Sequence, residues 1–566
     1  MIRLTKTTNA ITEKDVLKCV PLGGFEEVGR NMMFFEYKNE IVILDVGLQF
    51  PEEETPGIDY IIPNISCLQN KKENIKAIIL THGHYDHIGA IPYLIEKLGN
   101  PPIYCTELTK HIVLKRQEDF PNAPKLKIHT VKNWDEVEMS RYFTAQFFGV
   151  EHNIPDTAGI ILKTPAGNIV HFADFKIGYD EKGNPERLDE FEKVRKQKIL
   201  ALFLDSTNAE EEGRSLSERV VEKNLEDLFK KAPGRILLAI FASLLTRIAE
   251  IIKIAEKLGR RIALSGLTMK TNIQIAQNLG YIKAKKDTII NIEEIGKYKD
   301  EKILILTTGA QGEPNASLMR VANGEHRHIQ IKPGDTVIFS ASTIPGNERQ
   351  VQLLKDNLSR QGARVITSKI IDIHSSGHSP QEELKMVIKL INPKFLIPVH
   401  GYYFMRYTNC ENGAAAGMER KNCLLPDNGA VLEMSKNEVK ITDKTVEASY
   451  VMVDGLGVGD VGAVVLRDRL TLSQEGMVVI IVTLGRHNGR ILKNPDIISR
   501  GFIYLKENVE LLEEIRRRIR GIIGRIPRYQ PIDSDYLKAL IRDQIGQFLY
   551  TKTKRRPMVL PVVIEV

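Results

Sequence analysis

The sequence predicts an α/β protein of several domains: a mixed α/β unit, a parallel α/β unit inserted into it, and a small C-terminal α/β domain. Three observations predict this. A chain of 566 residues exceeds what one hydrophobic core organises, so about two to four domains are expected. The opening third alternates short β-rich runs with turns. From about Glu212 the texture changes to short apolar strands separated by amphipathic helical patterns, the rhythm of a parallel sheet with crossover helices.

In chain order, MIRLTKTTNAITEKD carries no apolar core of signal-peptide length. LKCVPL and FFEYKNEIVILDVG read as strands, and Ala77 to Leu80 is a short buried strand running into THGHYDHIGA and the amphipathic IPYLIEKLGN. FTAQFFGVEH, GIILKTPAGNIVHFADF and ILALFLDST form a second group of strands. The insert follows: ILLAIFA, RIALSG, ILILTTG, TVIFSAS and RVITS are strands, and LLTRIAEIIKIAEKLG, NIQIAQNLGYI and NERQVQLLKDNLSRQG are helices. After Ile371 the first style returns through IHSSGHSPQEELKMVIKLINPKFLIPVHGYY. A last segment opens near Val453 with DGLGVGDVG, and its helical part carries Arg516, Arg517, Arg518, Arg520 and Arg525. A charged helix face in solvent is the commoner meaning of such a run, RNA backbone binding the sharper one. The expected bounds are 1–211 and 369–450 for the first unit, 212–368 for the insert and 451–566 for the last domain. No internal repeat or low-complexity tail interrupts them.

Hydrophobic residues make up 42% and charged residues 27%, ordinary for soluble globular chains. No apolar run approaches the roughly 20 residues that span a bilayer, so no membrane partner is expected and the cytoplasm is the expected compartment. Cys19, Cys67, Cys105, Cys410 and Cys423 lie far apart without a CxxC pair. That usage argues for incidental thiols, against a zinc ribbon or a disulfide framework. A net charge of +7 is compatible with a polyanionic partner and does not establish one.

The strongest chemical signal is HGHYDH at 82–87. Three imidazoles and a carboxylate packed this closely are costly unless they bind something. Zinc prefers nitrogen and carboxylate ligands, and a catalytic zinc keeps a position open for water. His82 and His84 alternate and can reach one ion, while Asp86 and His87 turn toward a second. His152, Asp174 and His400 each end an apolar strand, as does the 82–87 run. Singly, His152 or His400 is more often a hydrogen-bonded core histidine; jointly with HGHYDH that reading recedes.

The loop Ser375-Ser376-Gly377-His378 precedes Ser379, Pro380 and Glu382, which read as N-cap, N1 and N3 of a helix with Leu384, Val387, Ile388 and Ile391 on its apolar face. The loop is therefore expected on a helix N-terminus, where N–H groups favour a phosphate. The plainer alternative is that Gly377 only makes a turn.

Asp45 in LDVGLQFPE, HGHYDH, His152, Asp174 and His400 resemble the five motifs of the metallo-β-lactamase αββα sandwich. The resemblance implies that His82, His84 and His152 bind one zinc, that Asp86, His87 and His400 bind another, that Asp174 bridges both, and that Asp45 orients ligands from behind. The insert, Asp205 in LFLDSTN and the SSGH loop resemble the β-CASP subgroup, whose members act on nucleic acids. LGGFEEVGRNM, DVGLQFPEEE, HNIPDT, DFKIG, DSTNAE, TTGAQGEP and RRPMVLPVVIEV resemble the ribonuclease J family, from about Pro21 to the C-terminus. The implied activity is hydrolysis of single-stranded RNA to 5′-phosphate and 3′-hydroxyl products, as endonuclease, 5′-3′ exonuclease or both, in RNA decay or maturation. Two Zn²⁺ are the implied cofactors, with Mn²⁺ or Mg²⁺ as substitutes, and a homodimer or homotetramer is the implied assembly. Asp86, His378 and Asp205 are the catalytic candidates: His378 protonates the leaving oxygen and Asp205 holds its imidazole. Ser243, His374, Ser375, Ser376, Gly377 and His378 are the candidates for contact with RNA phosphate.

Several positions depart from that pattern. Where the family has FASN followed by a His-Arg pair, this chain has Phe241-Ala242-Ser243-Leu244-Leu245-Thr246-Arg247. A Gly-Arg-Ser-Met segment appears as Gly266-Leu267-Thr268-Met269. Losing a cation and a His from a pocket for a terminal 5′-phosphate is expected to weaken 5′-end recognition. Tyr85 replaces a glutamate, and Tyr402 and Phe404 stand where a Glu and an Arg commonly follow the last metal histidine. An aromatic there can stack on a base, but ordinary packing is the commoner role. Two rival functions compete: a non-catalytic RNA-binding subunit or scaffold, against which the complete ligand set speaks, and a small-molecule metallo-hydrolase, against which the insert and SSGH loop speak.

Overall fold

The computed structural model describes residues 16–51, 55–180, 182–344, 346–455, 457–486, 490–503, 508–525 and 533–566. The N-terminal stretch expected to lack a signal-peptide core lies outside the described residues. The chain forms two compact units, Met1–Phe50 with Ile61–Val451, and Pro51–Tyr60 with Met452–Val566.

In the first unit two sheets face each other. The eight-stranded sheet carries Leu17–Gly23, Met32–Tyr37, Glu40–Leu44 and Ile75–Ile79 at its centre; the six-stranded sheet runs from Phe395–Val399 through Ile199–Asp205, Gly167–His171 and Ala158–Thr164 to Thr144–Gly149 and Glu136–Glu138. Between them Phe35, Val42, Leu44 and Ile79 meet Phe147, Ile160, Leu162 and Phe203 in one apolar layer. Phe35 and Phe203 pack edge to face across the sheets, ring centroids 5.8 Å apart. These are the alternate residues of each strand, which is why the outward residues face helices and loops instead.

Strand direction positions the site. Thr144–Gly149 and Gly167–His171 both run antiparallel to Ala158–Thr164, and Gly167–His171, Ile199–Asp205 and Phe395–Val399 are mutually parallel. Four strands of one sheet therefore end at the same edge. In the other sheet Glu40–Leu44 and Ile75–Ile79 are parallel neighbours, delivering Asp45 and the 82–87 run.

The insert is a six-stranded sheet in the order Ile289–Ile290, Arg261–Ser265, Ile303–Thr307, Ile236–Ala239, Thr336–Phe339, Arg364–Thr367, parallel throughout. Its helix Glu218–Lys231 buries Val221, Leu225, Leu228 and Phe229, one helical stripe. A buried polar clasp ties this helix to the SSGH loop. The Arg247 guanidinium donates to both Glu218 oxygens at 2.6 and 3.0 Å, and to the Ser375 carbonyl at 3.1 Å. Lys176 Nζ reaches Glu218 at 2.6 Å. Burial opposes ionisation of Glu218, but Arg247 and Lys176 outweigh it and hold its carboxyl down to about 2. Removing one member of such a buried pair costs about 3–5 kcal/mol.

In the second unit the strands Asp496–Arg500, Met477–Leu484 and Met558–Glu565 form a sheet covered on one face by the helices Val509–Gly524 and Ser534–Thr553. Val478, Ile480 and Val482 pack there against Ile515, Ile519, Leu537 and Ile541. Asp533 caps the last helix, Oδ1 accepting from the N–H groups of Asp535 and Tyr536. The basic run is largely paired within its own helix: Arg516 with Glu513, Arg517 and Arg518 with Glu514, while Arg518 also lies 4.1 Å over the Phe548 ring. Among the described residues no helix is long and apolar enough to cross a membrane.

Two expectations are corrected. Cys410 and Cys423 form a disulfide, not a pair of incidental thiols. The helix Tyr403–Ala415 turns the chain back so that Cys423 lies beside the strand at Leu396. The helix after the SSGH loop begins at Gln381 with Pro380 as N-cap. The Ser379 hydroxyl donates to the Phe175 carbonyl instead of capping, and the N–H groups of Gln381 and Glu382 donate to the carbonyls of Glu211 and Gly213. That helix end is therefore already satisfied and is no phosphate cradle.

Candidate active site

The short turn after Ile75–Ile79 presents His82 and, in extended backbone, His84, and a one-turn helix, Tyr85–Ile88, then swings Asp86 and His87 to the other side. Gly47 makes this turn possible, because a Cβ there would lie 1.6 Å from the Asp86 carbonyl oxygen. Around the turn the ligand-type atoms of His82, His84, His152 and Asp174 lie within 4.8 Å of one another, as do those of Asp86, His87, Asp174 and His400, and those of Asp174, Asp205, His378 and His400. Asp174 belongs to all three groups.

The hydrogen bonds behind the imidazoles decide which nitrogen faces inward. The Thr81 hydroxyl donates to Asp45 and so accepts from His82 Nδ1 at 3.0 Å, leaving Nε2 toward the cluster. His152 Nδ1 donates to the Gly377 carbonyl at 2.7 Å and His87 Nδ1 to Asp45 Oδ2 at 2.8 Å. His82 Nε2 and His152 Nε2 then converge on His84 Nδ1 at 3.0 and 3.1 Å. Two lone pairs thus point at one His84 nitrogen, which can donate a proton to only one of them, a gathering of nitrogens that suits a cation. His400 Nε2 is likewise buried without a hydrogen-bond partner, 3.3 Å from Asp86. The donor set therefore fits metal ions, nitrogen and carboxylate together.

Electrostatics divide the imidazoles: burial opposes the charged form throughout, but Asp174 and its neighbouring carboxylates outweigh it at His87 and His400 and raise both well above the ordinary range. Burial holds His82, His84 and His152 below the ordinary imidazole range, His84 down to about 4, so they stay neutral and able to coordinate. Burial also resists ionisation of Asp86 and Asp174, yet the neighbouring histidines, His87 foremost for Asp86 and His400 for Asp174, hold both carboxyls well below the usual carboxylate range. Asp45 is buried behind them and accepts from the Thr81 N–H at 2.8 Å as well as from His87. Asp45 and His400 both adopt positive φ, near 57° and 52°, a strained conformation that the surrounding bonds hold in place.

His378 stands beside this cluster, its Nδ1 2.7 Å from Asp205 Oδ2. Burial disfavours the charged imidazole, but the Asp205 carboxylate outweighs it and raises the His378 pKa above the ordinary value. Asp205 Oδ1 accepts from the Thr207 N–H and hydroxyl at 2.9 and 2.8 Å. Gly377 does more than turn the chain: a Cβ there would come within 2.6 Å of the His152 ring.

The remaining phosphate-contact candidates separate. The Ser376 hydroxyl accepts from Asn208 Nδ2 at 2.9 Å and from the His378 N–H at 3.2 Å, beside the cluster. His374 and Ser375 are drawn into the clasp. His374 Nδ1 lies 2.9 Å from the Arg247 guanidinium, and burial with Arg247 pushes His374 down to about 3. Ser243 is half-buried on the insert, in the turn before the helix Leu245–Lys257. Leu244 is buried, Thr246 is exposed, and Leu267 is 82% exposed. Tyr402 and Phe404 are not packed away: they are 38% and 50% exposed.

Sequence reasoning passed over three polar side chains. The Thr207 hydroxyl oxygen lies 3.0 Å from the His400 carbonyl, Asn208 donates to the His378 carbonyl at 3.0 Å, and Asn31 Nδ2 lies 3.1 Å from His87 Nε2. The run DSTN at 205–208 was the available signal for the first two: three polar residues directly after a seven-residue buried strand.

Comparison with known proteins places this site in a lineage. Residues 56–207 match the model of a beta-lactamase superfamily domain and residues 362–407 that of a Zn-dependent metallo-hydrolase RNA specificity domain. Residues 233–358 match the ribonuclease J beta-CASP domain and residues 464–566 the ribonuclease J C-terminal domain. The chain is 37% identical to ribonuclease J2 of Bacillus subtilis over 97% of this chain and 99% of that one. It is 37% identical to ribonuclease J 1 of Streptococcus pyogenes and 35% identical to ribonuclease J 2 of Staphylococcus aureus, each over 98% of this chain and 99% of the relative. A solved structure of a protein of unknown function from Enterococcus faecalis shares the fold, with TM-score 0.53 and 17% identity over 75% of this chain and 100% of that one. With its buried histidine–aspartate cluster and these full-length relatives, the chain belongs to the ribonuclease J family of metal-dependent, metallo-β-lactamase-fold ribonucleases.

Proposed function

We propose that the site holds two zinc ions and hydrolyses single-stranded RNA to 5′-phosphate and 3′-hydroxyl ends, in cytoplasmic RNA decay or maturation. The observation that carries this is the sharing of Asp174 by three overlapping clusters, the third of which contains His378. In this reading His82, His84 and His152 hold one ion, Asp86, His87 and His400 the other, and Asp174 both. Bound zinc supplies Lewis acidity and makes water nucleophilic near neutral pH; Mn²⁺ or Mg²⁺ substitutes where the nitrogen and carboxylate ligands accept it. His378 carries the proton for the leaving 3′ oxygen, and Asp205 favours its charged form and aims the ring. Ser376 and Gly377 border the phosphate, and Ser243 contributes from the insert. The functional domains follow the bounds 1–211, 212–368, 369–450 and 451–566.

The 5′-end pocket of this chain is weak. Leu267 and Thr246 put an apolar and a small polar side chain, both exposed, where a cation and a His are wanted, and His374 and Ser375 are engaged by Arg247. Charge-assisted bonds supply the affinity for a terminal dianion, so their loss leaves a 5′-monophosphate preference under about ten-fold in kcat/KM. Product mapping on 5′-monophosphate, 5′-hydroxyl and circular RNA with zinc-loaded protein tests this. Circular RNA is cut; a hundred-fold or greater preference for the monophosphate overturns the weak pocket, and no cleavage of any substrate overturns the ribonuclease reading.

The C-terminal sheet supports a homodimer or homotetramer. Ile498, Leu560, Val562 and Ile564 lie exposed on strands whose other face is packed, an apolar patch of the kind a second copy covers. Val562→Glu should shift the mass read by light scattering toward the monomer; an unchanged mass would remove this face from the interface.

A further inference from the structure

We infer that Tyr402 and Phe404 form a stacking platform for a nucleobase of the RNA next to the scissile phosphodiester, an inference that rests on the ribonuclease reading of the neighbouring cluster. The two rings lie parallel, 3° between planes and 6.2 Å between centroids, and both are exposed. Tyr402 is two residues from His400, so its Cα lies within about 7 Å of that residue's Cα. Tyr403 and Tyr407, 54% and 46% exposed, form a second ring pair in the same segment, centroids 6.5 Å apart. Exposed rings crowded into six residues gain little from burial; a flat π-face offered to solvent beside a site for a polyanion suits a base, whatever its identity.

The platform is also held rigid relative to the cluster. Arg406, fully buried, donates to the Pro426 carbonyl at 2.6 Å and to Asp427 at 3.0 Å. Asn409 donates to the Asp205 carbonyl at 3.0 Å and Asn412 to the Ala209 carbonyl at 3.0 Å, so the helix is bolted to the segment that carries Asp205. The Cys410–Cys423 disulfide adds a covalent tie. A stacked base is thereby fixed against His378 and Asp174, and substrate positioning acquires a contact indifferent to sequence. The Arg406 and Arg420 guanidinium groups lie over the Tyr403 and Tyr407 rings at 5.7 and 5.3 Å, each also paired with a carboxylate, Asp427 and Glu411.

The test is a coupling experiment on zinc-loaded, full-length protein. RNA carrying one abasic nucleotide is walked through the positions flanking the cleavage site, with wild type and with Tyr402→Ala/Phe404→Ala. Removing the stacked base should raise the wild-type KM about ten-fold at one position. The double variant should show a similar rise on intact RNA, a smaller change in kcat, and no further loss at that position; Tyr402→Phe with Phe404→Tyr should restore the wild-type KM. An unchanged KM in the double variant, or an abasic penalty as large in it as in wild type, overturns the platform while leaving the ribonuclease reading intact. A wild-type protein that cleaves no RNA overturns both.

Discussion

Asp174→Ala should retain less than about one-thousandth of wild-type RNA cleavage and bind no more than one metal ion per chain. Asp174 is the point at which the site is joined. Its Oδ2 lies 3.8, 3.9 and 3.3 Å from the inward nitrogens of His82, His152 and His87, and its Oδ1 lies 3.0 Å from His400. The neighbouring carboxylates are otherwise engaged: Asp86 pairs with His87 and His400, and Asp205 with His378 and Thr207. Metal-assisted phosphate activation is worth several kcal/mol, and each 1.36 kcal/mol is a factor of ten, so about three orders of magnitude is a lower bound. Elemental analysis reads the metal content, and circular dichroism with a thermal melt separates loss of metal from loss of fold. Chelation of wild type should reproduce the loss, with zinc restoring activity. A folded variant with full metal content and near-normal rate would end the shared-ligand assignment.

The second large effect is expected at His378. Alanine there should lower the single-turnover cleavage rate about 10²- to 10⁴-fold, the range for losing a positioned proton donor, with metal content unchanged. The pH dependence distinguishes this role from simple packing. An acid works in its protonated form, so cleavage falls as pH rises through the His378 pKa. Burial lowers that pKa and the Asp205 carboxylate raises it by more, so the falling limb sits higher than an isolated imidazole would place it. Asp205→Asn removes the raising influence, and the limb moves to lower pH. Metal analysis of this variant is required because Asp205 Oδ1 also lies 3.5 Å from His400. A limb that stays in place, with metals retained, counts against His378 as the donor.

Local pattern and tertiary structure divide the credit by range. Periodicity made the layers legible: Ile248, Ile251, Ile252 and Ala255 declare a helix with one buried stripe, and uninterrupted runs such as Ile199–Asp205 declare a strand covered on both faces. Strand-end chemistry singled out His82, His152, Asp174 and His400, because an imidazole or carboxylate directly after an apolar run has no local partner. What no local pattern carries is which distant groups meet. The convergence of His152, Asp174, Asp205 and His400 follows from four strands ending at one sheet edge, a matter of topology. The segment after Ser379 does start a helix, but Pro380 and not Ser379 is its N-cap, and its end is no anion site, since carbonyls of Glu211 and Gly213, remote in sequence, already occupy its N–H groups. The Cys410–Cys423 bond, the reach of Arg247 to Ser375 and the exposure of Tyr402 and Phe404 were hidden for the same reason. Residue type and spacing determine what a side chain is able to do; only the folded chain decides what stands opposite it, because hydrogen bonding, burial and charge act through space between segments that the sequence keeps far apart.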